Sequence, residues 1–190
     1  MSNAWRKNSA SSATEITVGA NECRLTVNGE RLVTRRAFSD LIVALHAPSV
    51  GFAGLLRFSI SSAATSAEWR MVTDFLNAAV STTLDGLKSM NIAFNDLSVY
   101  LIGGADSSFA KNLNSGKRLS LAGQRAFRQR GILVKGEDLG GNQARSLWLD
   151  STSGRLIVRS YAMPDNNPAF SQALPVDSNQ VAIQLDQLAC

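Results

Sequence analysis

Cys23, Cys190 and His46 are the residues of this 190-residue chain best suited to attack a carbonyl, carry a proton or hold a metal. Their spacing supports none of the common uses. The two cysteines make neither a disulfide framework nor a zinc-ligand pair, and the single histidine has no second to join it, so no metal or other cofactor is expected. Cys23 lies in a β-prone piece and reads as a small buried hydrophobe. His46 reads as a strand-end or turn residue, and Cys190 has no base in view.

The elements around these residues are mostly short. Ile16–Val18, Arg24–Val27 and Arg31–Thr34 are β-prone, and Asn28-Gly29 between the last two is a hairpin signal. The segment from Ser39 to Pro48 admits two readings. Ser39 or Asp40 could cap a helix that Pro48 ends. Alternatively, Leu41 to Leu45 is a buried strand, followed by a turn at 47–51 and a return strand from Ala53 to Ile60. Periodicity does not choose between them. From Ala67 to Met90, Trp69, Val72, Phe75, Leu76, Ala79, Val80, Leu84 and Leu87 recur at helical spacing, the clearest amphipathic helix in the chain. A strand at Leu97–Ile102 ends in Gly103-Gly104. A second helix runs from about Leu119 to a stop at Gly131. Strands are expected at 132–135, 145–150 and 155–160. Without regular βαβ alternation the class is α+β.

At 45% hydrophobic residues the chain fits one cored domain, expected over residues 15–162, with a disordered leader at 1–14 and a polar tail at 163–190. Val181–Leu185 could supply one further strand there. No apolar run reaches the roughly 20 residues that span a bilayer, and Met1–Ala13 lacks the apolar core of a secretion signal, so a cytoplasmic protein without membrane insertion is expected. The formal charge of +4 favours acidic partners. Arg118, Arg125, Arg128 and Arg130 cluster, but no aromatic interleaving or nucleic-acid motif accompanies them, so no nucleic-acid partner is assigned.

Gly131-Ile132-Leu133-Val134, then Asp138-Leu139-Gly140-Gly141-Asn142-Gln143-Ala144-Arg145, then Gly154–Arg159, with Ile102-Gly103-Gly104-Ala105 upstream, form a frame of strands and glycine turns. In this frame the chain resembles the bacterial chemoreceptor glutamine deamidases (the CheD family) over roughly residues 16 to 160. The resemblance implies mixed and antiparallel sheets in a layered sandwich with two main helices packed outside. It sets the family's Thr on Thr34, its Ser on Ser39 and its turn Pro on Pro48. Its catalytic cysteine falls on Asp40 and its histidine on Arg57. Its Gly-Gly-Ala falls on Gly103, Gly104 and Ala105. Its Gly-x-Arg-Asn keeps Gly116 and Arg118 but has Leu119 for the Asn. Its Gly-Gly-Asn-x-x-Arg falls on Gly140, Gly141, Asn142 and Arg145.

If the strands flanking the 47–51 turn pair with Leu45 opposite Phe52, Asp40 stands opposite Arg57. In the family this arrangement sets thiol beside imidazole, as amide hydrolysis through a thiolate requires. On that placement a carboxylate–guanidinium pair, which can join through two parallel hydrogen bonds, would replace the couple, the other reading being two unpaired residues at a partly exposed rim. Either way the nucleophile is gone and arginine cannot act as a base, a loss that costs a comparable hydrolase on the order of 10⁶ in turnover. The glycines that the family carries before its Ser-Cys are replaced by Arg35-Arg36-Ala37-Phe38, which would rebuild that loop and charge the pocket mouth. The leading reading is therefore a deamidase homologue without activity. It would bind chemoreceptor cytoplasmic helices, or the chemotaxis phosphatase that the resemblance also implies, through Arg35, Arg36, Gly103, Gly104, Gly141, Asn142 and Arg145. The alternative, an active protein-glutamine deamidase, requires a different placement of residues 34–57 or a role for Cys23. Nothing in the sequence sets the oligomeric state.

Overall fold

The computed structural model describes residues 14–61, 64–106 and 114–162; most of the expected leader, the whole tail, Cys190 and the strand expected at 181–185 lie outside them. The described residues form β1 (Glu15–Thr17), β2 (Glu22–Thr26), β3 (Arg31–Ala37), β4 (Leu41–Ala47), β5 (Phe52–Phe58), α1 (Ser66–Ser89), β6 (Ser98–Gly103), α2 (Ser115–Arg128), β7 (Val134–Leu139), β8 (Gln143–Asp150) and β9 (Leu156–Ala162). One sheet has the order β1-β3-β8-β9 and the other β2-β5-β4-β6-β7. Each contains one parallel pair, β1 with β3 and β6 with β7. The class is α+β, two mixed sheets and two helices.

β4 sits at the centre of this arrangement because its composition allows nothing else. All seven of its residues are buried, so both faces of the strand must be covered. Leu41, Val43 and Leu45 face a core shared with Trp69, Val72, Leu76, Leu84, Leu119 and Phe127 of the helices. Ile42 and Ala44 face a second core shared with Leu32, Leu147 and Leu149 of the four-stranded sheet. The order is therefore helices, five-stranded sheet, four-stranded sheet. Of the two readings of residues 39–48, the strand is the one observed. Pro48–Val50 forms a short 3₁₀ turn, and Gly51 takes a left-handed φ of 63° to close it.

α1 begins with a reciprocal capping box. Thr65 Oγ1 accepts from the Glu68 amide (3.3 Å) while the Glu68 carboxylate accepts from the Thr65 amide (2.6 Å). The hydroxyls that weaken its helix propensity are turned onto the preceding turn, as when Thr83 Oγ1 donates to the Ala79 carbonyl at 2.8 Å. α2 starts at Ser115, four residues ahead of the sequence expectation, because Asp106 reaches across to accept from the Gly116 and Lys117 amides at 2.9 and 3.1 Å.

The Asn28-Gly29 hairpin is not formed. β2 and β3 belong to different sheets, so this turn carries the chain from one layer to the next. Only Gly29 has positive φ (76°), whereas the two-residue type I′ turn needs it at both positions. Gly140-Gly141, both with positive φ (79° and 74°), likewise leads from one sheet to the other, joining β7 to β8. The strands expected at 145–150 and 155–160 are present as β8 and β9, an antiparallel pair joined across Ser151–Gly154.

Because the two cores are separated by a sheet, cavities opened in them should not interact. Leu76→Ala and Leu147→Ala should each lower unfolding free energy by about 2–5 kcal/mol. The double variant, followed by urea denaturation, should lose the sum to within about 0.5 kcal/mol. A clearly smaller or larger loss would mean that the two cores are one.

Candidate functional site

Residues 40 and 57 meet at one end of the sandwich, but not in the register read from the sequence. The β4–β5 ladder runs to Ala47↔Phe52, which places Arg57 opposite Ile42 and Leu45 opposite Gly54. The turn is tighter than expected, and the pairing slides by two residues. A slip of two preserves the face: Asp40, Ile42, Ala53, Leu55 and Arg57 all point toward the four-stranded sheet. Asp40 therefore lies diagonally across from Arg57, a separation that a long side chain bridges.

Arg57 does so. Its Nε and Nη2 both donate to Asp40 Oδ2, at 3.0 and 2.5 Å, so the fork closes on one carboxylate oxygen rather than on two. Its Nη1 crosses to the other sheet and donates to Thr34 Oγ1 (3.1 Å) and to the Arg35 carbonyl (3.2 Å). Thr34 Oγ1 in turn donates to the Val18 carbonyl at 2.8 Å. The Asp40 and Arg57 side chains are only 8% and 15% exposed, so the charges are paired largely out of water. A guanidinium using three of its nitrogens inside the protein has little left for a substrate or partner.

The backbone around the pair is pinned from three directions. Gly104 donates its amide to the Asp40 carbonyl (2.7 Å) and Ala105 donates to the Phe38 carbonyl (3.0 Å). Gly103 has a φ of 108°, and a Cβ there would run into the Asp40 carbonyl oxygen. Gly116 lets the start of α2 lie against the Gly104 and Ala105 carbonyls, where a side chain would collide. Asp106 donates its amide to the Gly141 carbonyl at 3.0 Å, which ties the turn before β8 into the same end. β3 is interrupted here by a bulge between Thr34 and Ala37; Arg36 takes a φ of 52° and donates its amide to Ser146 Oγ at 3.0 Å.

The other residues singled out in the sequence divide between rim and support. Arg36, Gly141 and Asn142 are exposed at this end. Gly103 and Gly104 are buried behind Asp40. Arg35 is exposed, yet it turns to the outer face of the four-stranded sheet, over Trp148 and paired with Glu15 at 3.2 Å. Arg145 is 5% exposed and fully engaged: Nε and Nη2 form a fork on Asp138 (2.9 and 2.7 Å), and Nη1 donates to the Gln143 carbonyl. That pair bridges β7 and β8 across the two sheets. Asp138, Asp106 and Ser146 were missed in the sequence. Asp138 could have been suspected from its place just before the Gly-Gly turn that Arg145 follows.

Neither described candidate for rescue chemistry reaches Asp40. Cys23 pairs with Leu56 and so faces the helices, on the opposite side of the sheet from Arg57. Burial pushes its thiol up to about 12, which leaves essentially no thiolate at neutral pH. His46 shares the face of Asp40 but stands at the other end of β4, where its Nε2 donates to the Ser151 carbonyl at 3.0 Å. Among the described residues no group of three or more potential ligands could hold a metal, and no helix is long and apolar enough to cross a membrane.

Two measurements follow from the pairs. Arg57→Met strands a buried carboxylate and should cost about 3–5 kcal/mol in urea unfolding, whereas Asp40→Leu/Arg57→Met should recover most of that loss. A double variant as unstable as the single would mean that the charges do not depend on each other. Second, the Arg145 hydrogen bonds hold the Asp138 carboxyl below its ordinary range. Its contribution to stability is then complete above its unfolded value of about 4 and disappears as pH falls through the lower folded value. The stability gap between the parent and Asp138→Asn should be constant near neutrality and close in acid; a gap that persists there would contradict the assignment.

A family model described as CheD chemotactic sensory transduction matches residues 61–160. The match begins after β5, so Thr34, Asp40 and Arg57 precede it. A protein of Desulforamulus reducens named probable chemoreceptor glutamine deamidase CheD is 27% identical over 156 residues, covering 79% of this chain and 93% of that protein. A Thermotoga maritima protein named chemoreceptor glutamine deamidase CheD is 34% identical over 85 residues, 45% of this chain and 54% of its own. One from Clostridium kluyveri, also named a probable chemoreceptor glutamine deamidase CheD, is 24% identical over 153 residues, covering 78% and 94%. With more than half of its length under one family model, and similar proteins that align over most of their own lengths, this chain belongs to the CheD family.

Proposed function

We propose that this chain is a deamidase-fold chemotaxis protein that has given up amide hydrolysis and acts by binding a protein partner. The observation that carries this reading is the Asp40–Arg57 ion pair, at the two positions where the family resemblance sets the nucleophile and the base. A carboxylate held by guanidinium bonds is a poor nucleophile toward an unactivated amide, and the guanidinium takes up no proton. The placement of Cys23 and His46 supports the same reading, since neither side chain can stand in for the missing pair.

The partner proposed is a chemoreceptor helix, the kind of target that the relatives' names imply, or a chemotaxis regulator that competes for the same end of the sandwich. Arg36, Gly141 and Asn142 form the accessible rim there, and an acidic helix face suits Arg36. A cytoplasmic location is part of this proposal, since receptor signalling helices are cytoplasmic.

The test is deamidation of a purified chemoreceptor signalling-domain fragment, followed by ammonia release and by the mass gain of amide-to-acid conversion, with binding measured in parallel. The parent should release no ammonia yet bind, and Arg36→Glu should weaken binding by about tenfold or more. Asp40→Cys/Arg57→His tests the old site, and activity regained there would support the placement. Glutamine deamidation by the parent protein would overturn the proposal.

A further inference from the structure

The two sheets have four edges, and three are protected in the usual ways. β1 is three residues long. β2 carries Glu22 and Arg24. β7 carries Lys135, Glu137 and Asp138, and its pairing with β6 is broken by a register shift. β9 is different. It has seven residues, a continuous ladder to β8 from Gln143↔Ala162 to Leu149↔Leu156, no proline and no bulge, and among the described residues it pairs only with β8. Among the described residues nothing pairs with its other side, which carries a row of backbone donors and acceptors.

The surface beside that edge has a definite chemistry. The registers Val33↔Trp148 and Trp148↔Ile157 put Arg35, Trp148, Ile157, Arg159 and Tyr161 on the outer face of the four-stranded sheet. Ile157 and Tyr161 are 36% and 43% exposed. Arg35 and Arg159 flank the Trp148 ring, with guanidinium carbons 5.6 and 5.2 Å from its centroid. Arg35 has Glu15 as a counter-ion, but Arg159, and Arg155 in the turn before it, have no ion-pair partner among the described residues.

We infer that β9 and this face receive an extended acidic segment of a partner protein, which adds to the sheet as a fifth strand. Backbone pairing to β9 would supply the contact, and alternate side chains of the segment would meet Arg155, Arg159 and Trp148. Charge argues against a second copy as the occupant. A two-fold antiparallel pairing of the whole of β9 is centred on residue 159 and would set Arg159 against Arg159, and like charges directly opposite repel. This surface is distinct from the Asp40 end, so the inference holds or fails independently of whether amide hydrolysis survives there.

The test uses the full chain and two labelled peptides, one alternating Glu and Val, the other Lys and Val, with anisotropy for binding and amide hydrogen exchange for position. The Glu–Val peptide should bind at least about tenfold more tightly than the Lys–Val peptide. It should slow exchange across 156–162 but not across the β2 edge at 22–26. Arg159→Glu, an exposed substitution outside the Asp40 site, should reverse the preference with the circular dichroism spectrum unchanged. Equal binding of the two peptides, or no added protection in β9, would overturn the inference. So would protection present before any peptide is added. If that protection were independent of protein concentration it would assign the edge to residues 163–190 of the same chain; if it rose with concentration, to a second copy.

Discussion

Arg57 is a side chain through which the two sheets hold each other at the Asp40 end of the sandwich. It leaves β5, takes the carboxylate at the head of β4, and reaches β3 in the other sheet through Thr34 and the Arg35 carbonyl. Two further polar ties join the sheets, Arg145 from β8 to Asp138 on β7, and His46 from β4 to the Ser151 carbonyl. Between these ties the contact is apolar and non-directional. The buried polar groups therefore fix how the sheets sit over one another, while the cores supply the bulk of the stabilisation.

A buried ion pair is a weak source of stability, since desolvation offsets most of the attraction, but it strongly penalises any arrangement that separates its partners. A nucleophile–base couple must remain accessible to substrate. A guanidinium bonded to a carboxylate, a hydroxyl and a carbonyl does not have to. Asp40 and Arg57 thus hold this end of the sandwich together without presenting a reactive atom.

Much of this could be read from the sequence where a periodic pattern coincided with burial. The helical spacing of Trp69, Val72, Leu76 and Leu87 found α1 within a residue at each end. The glycine pairs at 103–104 and 140–141 mark the ends of β6 and β7, and all four residues have positive φ. What failed was whatever depended on long-range pairing. The β4–β5 register hung on whether the turn consumed four or six residues, and a 3₁₀ turn closed by Gly51 is shorter than the sequence suggested. Asn28-Gly29 has the composition of a hairpin but leads out of its sheet, since only the tertiary arrangement decides where the next strand goes. The surroundings of the rim residues were hidden for another reason. Arg35 and Arg145 are both charged and near the site in sequence, yet strand alternation and the presence of Asp138 turn one to the far face and bury the other. The ion pair itself was anticipated because a register error of two leaves every side chain on its own face.

The doubly buried β4 also bears on how the chain matures as it is made. The helix-facing side can be covered once residues through β7 have left the ribosome, since α1 and α2 precede it. The opposite side, Ile42, Ala44, Leu55 and Ile102, waits for Leu147 and Leu149, and the bond from Arg36 to Ser146 closes a loop of 110 residues. Until β8 and β9 emerge, that face has only the cover that β1 and β3 supply, and it leaves apolar surface and strand edges of the kind that chaperones recognise and that aggregate when they do not. A nascent chain of this architecture thus stays exposed until β8 has been made.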